Sequence, residues 1–117
     1  MKYIILVSLA FSVLVNPALA HPPSNATASY DSQSQVLTVV VSHNTFAPAV
    51  HYVKKVSLSN NGKEFLTQNF SSQYDKQRQV VMAVIPGLKG SFKVTVKADC
   101  SLWGTLEKEL TVEINNK

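Results

Sequence analysis

The chain holds three histidines and a single cysteine. His21 follows Ala18-Leu19-Ala20, His43 and His51 bracket one short segment, and Cys100 lies in Ala98-Asp99-Cys100-Ser101-Leu102-Trp103-Gly104. Imidazole and thiolate are the side chains that best bind iron, copper and zinc. These four residues are the entire supply of both, so the chemistry to look for first is metal chemistry. Other reactive arrangements lack support. There is no Gly-x-Ser-x-Gly elbow for a nucleophilic serine and no glycine-rich phosphate loop. Carboxylates are few, seven in all, and three of them, Glu107, Glu109 and Glu113, lie on the alternating solvent face of the last strand pattern, which gives no glycosidase pair. No catalytic residue is assigned beyond the candidate ligands.

Lys2, the apolar run from Tyr3 to Val15 and the small-residue exit Pro17-Ala18-Leu19-Ala20 have the form of a secretory signal peptide over residues 1–20. The run is too short for an ordinary membrane span. The expectation is cleavage after Ala20 and export to a periplasm or the cell exterior, with no membrane anchor left. His21 then becomes the first residue of the mature chain. Residues 21–117 have the length of one domain, with no repeat and no linker. Cys100 has no internal disulfide partner, which leaves an intermolecular bridge, a metal ligand or a buried inert thiol. The formal charge is +4, and Lys54-Lys55 is the densest basic spot. No basic stripe with aromatic or helical partners is present, so nucleic acid is not an expected partner.

The elements that must position these residues are strands. Val36-Leu37-Thr38-Val39-Val40-Val41 is a β-branched run, Val53, Val56 and Leu58 fall among polar residues, and Gln79 to Ile85 is apolar. Phe92 to Ala98 alternates strictly, and so does most of Leu106 to Ile114, which places apolar side chains on one face. Turn signals separate the runs: Asp31-Ser32-Gln33-Ser34, Asn60-Asn61-Gly62, Pro86-Gly87 and Lys89-Gly90. Asn-Gly between strand patterns is a strong hairpin signal. The pattern predicts an all-β chain, an immunoglobulin-like β-sandwich of about seven strands, without the Cys-Trp-Cys core of antibody domains. On this plan His43 ends one strand and His51 starts the next, so the two are expected to approach across a loop mouth as ends of successive antiparallel strands. Cys100 ends the strand that begins at Phe92, and His21 lies at a free end. All four could meet at one end of the sandwich.

His21-Pro22-Pro23, Val41-Ser42-His43, His51-Tyr52-Val53, Asn61-Gly62-Lys63 and Ala98-Asp99-Cys100-Ser101-Leu102-Trp103-Gly104 together resemble, in order, the iron domain of superoxide reductases and desulfoferrodoxins. The resemblance covers nearly all of residues 21–117. It implies an immunoglobulin-like sandwich and a mononuclear iron centre held by four equatorial histidines and an axial cysteine thiolate. The implied reaction reduces superoxide to hydrogen peroxide with an electron from an external donor. On this resemblance His21, His43 and His51 match histidine ligands, and Cys100 matches the thiolate.

The chain also departs from that pattern. The family has Cys-x-x-His-Gly where this chain has Cys100-Ser101-Leu102-Trp103-Gly104, so Trp103 stands at the fourth histidine position. An indole nitrogen carries a proton and has no accessible lone pair, so it cannot replace the ligand. The segment between His43 and His51 is longer than in the family. The Glu-Lys pair that precedes the first histidine in many members has no counterpart, and the rubredoxin-like domain of some members is absent. Two other readings stay open. A free amine and imidazole at His21, with His43 or His51, would form a histidine brace suited to copper. A metal-free interaction domain would make Trp103 a core residue and Cys100 a buried apolar one.

Overall fold

The computed structural model describes residues 21–114. The signal-peptide reading of residues 1–20 lies outside them. Seven strands run in chain order: β1 (Asn25–Asp31), β2 (Val36–Ser42), β3 (Val53–Asn60), β4 (Lys63–Asn69), β5 (Arg78–Val84), β6 (Ser91–Cys100) and β7 (Thr105–Glu113). They form two antiparallel sheets, one ordered β1-β2-β5 and the other β4-β3-β6-β7. The all-β sandwich expected from the alternating runs is what forms.

The assignment of strands to sheets follows from turn chemistry. Asn61 and Gly62 are the only residues between β3 and β4, and both have positive φ, 50° and 82°. That is the backbone of the tight turn that Asn-Gly favours. So short a turn forces β4 into the sheet of β3. It leaves β5 as an edge strand beside β2, whereas the constant-type antibody sandwich puts its fourth strand on the other sheet.

The core forms between the sheets from the inward faces of alternating strands. Leu37, Val39 and Val41 of β2, Val56 and Leu58 of β3, and Val94, Val96 and Ala98 of β6 are completely buried. In β3 the alternation breaks at Lys54 and Lys55, which are both exposed. The β3–β6 register shifts between Val53 and Lys55, the mark of a bulge, and bulges re-aim side chains. The basic pair is thus a bulge exposed to solvent. The bulge also lets Val53 and Val56 both face inward.

One expectation is corrected here. His43 and His51 are not at the ends of antiparallel neighbours. β2 and β3 belong to different sheets, so the segment between them crosses from one sheet to the other. Its length reflects that span. The two histidines face each other across the gap between the sheets, at the end of the sandwich where β2, β4 and β6 finish and β1, β3, β5 and β7 begin.

Candidate metal centre

His43 continues the inward phase of β2 one step beyond the strand, after Leu37, Val39 and Val41, and is 1% exposed. Its main-chain N–H donates to the Gln77 carbonyl at 2.9 Å, and Thr45 N–H to the Lys76 carbonyl at 2.8 Å. The β2–β5 ladder is thereby prolonged past its formal end, which fixes the backbone of His43. His51 closes the crossing segment, its N–H donating to the Ala47 carbonyl at 2.8 Å. His21 is held through its neighbours in the chain. Ser24 N–H donates to the Ser42 carbonyl at 2.8 Å, and Pro22 lies against Gly104.

The three rings converge. Centroid separations are 4.8 Å for His21–His43, 5.1 Å for His21–His51 and 4.7 Å for His43–His51. One ring nitrogen from each lies within 4.8 Å of the others, an arrangement that could hold a metal ion. The ring nitrogens face different partners. His21 Nδ1 faces the Pro22 carbonyl at 3.1 Å, where only a proton on Nδ1 makes a bond, and this leaves Nε2 with its lone pair. His43 Nδ1 lies 2.8 Å from Gln73 Oε1, and its Nε2 lies 3.3 Å from the His21 carbonyl oxygen. His51 Nε2 is buried and has no hydrogen-bond partner. A buried polar atom without a partner costs about 1–3 kcal/mol. Three imidazoles with an orphaned nitrogen among them fit a soft or borderline cation well.

Burial lowers the pKa of His51 from 6.5, and charge on His43 and then on His21 lowers it further. The folded state therefore resists a proton that the unfolded chain accepts near 6.5. Below that value the unfolded state binds more protons, so stability rises with pH there. The metal-free protein is expected to lose Tm as pH falls from about 6.5 toward the lowered folded value, with no His51 contribution to the slope above 6.5. Thermal melts in the absence of metal check this, and His51→Gln should flatten the acid side of the profile.

The other candidate residues take different places. Cys100 is buried at the same end of the sandwich. It ends the inward face of β6 after Val94, Val96 and Ala98 and stands opposite Val53 of β3. It is not in the three-histidine group. Trp103 is 63% exposed and Leu102 53%. The reading that made Trp103 a core residue is thus corrected: the β6–β7 turn carries it outward, away from the apolar interior. An open pocket of about 490 Å³ is lined by His21 and His51, with Thr45, Phe46 and Lys76 among its other walls.

Two contributors to this geometry act through contacts that the sequence does not display. Gly104 has φ +96°, and a Cβ there would meet Pro22 Cβ at 2.7 Å and Pro22 Cα at 3.0 Å. The missing side chain is what lets the β6–β7 turn pack against the residue after His21. Gly104→Ala is expected to cost at least about 1–2 kcal/mol from the left-handed backbone alone. It should also push Pro22 away and weaken metal binding. Melting of the metal-free variant and a metal titration measure the two effects separately. The second contributor is Gln73, 6% exposed, in the loop between β4 and β5.

Known structures share this backbone. Superoxide reductase (neelaredoxin) from Archaeoglobus fulgidus in the reduced form superimposes with a TM-score of 0.52 at 16% identity, covering 80% of this chain and 90% of that one. The chain has the superoxide reductase fold. Superoxide reductase (neelaredoxin) from Ignicoccus hospitalis matches at 17% identity with a TM-score of 0.48, covering 81% of each chain. No family model matches the chain, and no curated protein matches it significantly. The likeness lies in the backbone; in this chain the three histidines stand at the end of the sandwich where β2 finishes and β3 begins.

Proposed function

We propose that this chain is an exported iron protein of the superoxide-reductase type. In this reading His21, His43 and His51 supply imidazole ligands and Cys100 the thiolate. The protein reduces superoxide to hydrogen peroxide with an electron from an external donor. The observation that carries the reading is the convergence of three imidazoles, one with an orphaned buried nitrogen, within a superoxide reductase fold.

Ferrous iron, when bound, supplies the one electron that with two protons turns superoxide into hydrogen peroxide. The chain's own residues bind, orient and admit. Hydrogen bonds on the Nδ1 side of His21 and His43 leave the Nε2 lone pairs for the metal. The open pocket reaches His21 and His51, which gives a small anion access, and Lys76 in its wall offers a positive charge there. Burial of Cys100 keeps water from its sulfur, and its inward place at the same end supports its role as the thiolate. Trp103 stands where the family has its fourth histidine, so the donors proposed here are three imidazoles and one thiolate.

The deciding experiment is elemental analysis of the mature protein, purified without chelators. About one iron per chain is expected, with a thiolate charge-transfer band that Cys100→Ser removes. Copper in place of iron, lost when a residue is added before His21, would replace this reading with a copper brace. A brace would chelate through Nδ1 of His21, the nitrogen that here faces the Pro22 carbonyl. A protein that takes up no metal would leave a β-sandwich interaction domain.

A further inference from the structure

Gln73 makes four hydrogen bonds from a buried side chain. Its Oε1 accepts from Val53 N–H at 3.1 Å and lies 2.8 Å from His43 Nδ1. Its Nε2 donates to the His43 carbonyl at 2.7 Å and to the Asp75 carbonyl at 2.9 Å. These partners leave the amide one orientation. Val53 N–H can only donate, and the two carbonyls can only accept. A flipped amide would set donor against donor and acceptor against acceptor.

With Oε1 fixed as an acceptor, the bond to His43 exists only if Nδ1 carries a proton. In the neutral ring the lone pair then sits on Nε2. That atom faces the His21 carbonyl oxygen at 3.3 Å, and His43 is one of the three histidines that converge. An imidazole lone pair set against a carbonyl oxygen is unfavourable, and a cation bound between them relieves it. Such outer partners of a ligating histidine set its tautomer and ring orientation.

We propose that Gln73 is a positioning residue for the metal. It locks His43 in the Nδ1–H tautomer and aims Nε2 into the site before any ion arrives. The inference rests on the metal-centre reading for its purpose, although the tautomer itself does not depend on that reading. The same amide ties the end of β2, through His43, to the start of β3, through Val53. Gln73 thus joins the two sheets at the site and sets the frame on which His43 is held.

A second buried glutamine supplies the control. Gln79 is 2% exposed. Its Nε2 donates to the Val53 and Ser72 carbonyls, each at 3.0 Å, and its Oε1 accepts from Tyr74 N–H at 3.0 Å. It braces the loop that carries Gln73 and has no hydrogen bond to a histidine. Loss of either glutamine leaves buried main-chain groups unpaired, so both changes weaken the fold. Only the Gln73 change should alter the ring.

The test is nitrogen-15 NMR of the histidine rings in the metal-free protein, joined to anaerobic Fe2+ titration against a competing chelator. Wild type and Gln79→Leu should show His43 as the Nδ1–H tautomer. Gln73→Leu should lose that preference and bind Fe2+ about 10–100-fold more weakly, the usual cost of removing such a partner. If the leucine variant does not fold, Gln73→Asn, which keeps both the acceptor and the donor on a shorter arm, serves in its place, and the ring spectrum of the wild type still reads the tautomer directly. An Nε2–H tautomer in the wild type would overturn the proposal. So would an unchanged tautomer and affinity in Gln73→Leu. Failure of the wild type to bind Fe2+ with the Nδ1–H tautomer present would sink the iron reading alone.

Discussion

His43→Ala is expected to weaken Fe2+ binding by more than about 100-fold, since loss of an outer partner alone costs about 10–100-fold. Of the three rings His43 is the most buried, 1% exposed, and is held from both sides. Gln73 fixes Nδ1, and the ladder to Gln77 fixes the main chain. The other two histidines have no comparable side-chain anchor among the described residues, so the site is built around this ring. The substitution also leaves Gln73 Oε1 with one donor in place of two and opens a small cavity, so some loss of Tm accompanies it. A chelator competition, read beside a circular dichroism spectrum that shows the strands intact, isolates the ligand effect. Wild-type affinity in this variant would mean that iron binds elsewhere.

The second large effect lies in the core. Leu58→Ala should destabilise the metal-free protein by about 2–5 kcal/mol, the range for deleting a fully buried leucine. Leu58 is completely buried on a central strand, facing Leu66 across the β3–β4 ladder and Val96 across β3–β6. Collapse around the cavity is restricted because both neighbouring strands are hydrogen-bonded in place. For a domain of this size the loss corresponds to a fall in Tm of roughly 10–30 °C. Met82→Ala, at a position 65% exposed, should change stability by no more than about 0.5 kcal/mol. Equal effects at the two positions would show that the sheets do not pack as described.

The sequence was most readable where side chains decide the structure. The β-branched run of β2 and the alternation of β6 and β7 appear as strands because one face is buried. Asn61-Gly62 was readable because its turn demands positive φ at both residues. β4 gave little sign of itself. It is an edge strand with almost every side chain exposed, held by main-chain bonds that any residue can make. At the site, the meeting of the three histidines followed from their places at strand ends. The route of the chain between His43 and His51 did not, because a crossing between sheets and a long hairpin loop look alike in composition. Gln73 was invisible for a related reason. A buried glutamine with four bonds is spelled the same as one on the surface, and its role arises only when three separate segments are brought together. The outward turn of Trp103 likewise is set by the path of the chain between β6 and β7.

The crossing from β2 to β3 has a mechanical consequence. An ion held by His21, His43 and His51 would bind two residues 22 positions apart, His21 and His43, and span both sheets at their open end. It would act as a removable rivet, in a chain whose one cysteine cannot form an internal disulfide. Unlike a disulfide, such a rivet loosens with acid or a chelator. Stability then tracks free metal, gaining about 2.7 kcal/mol when the ion stands at about 100 times its dissociation constant. The open end of the sandwich would report the supply of metal around it as a change in how firmly the two sheets are joined.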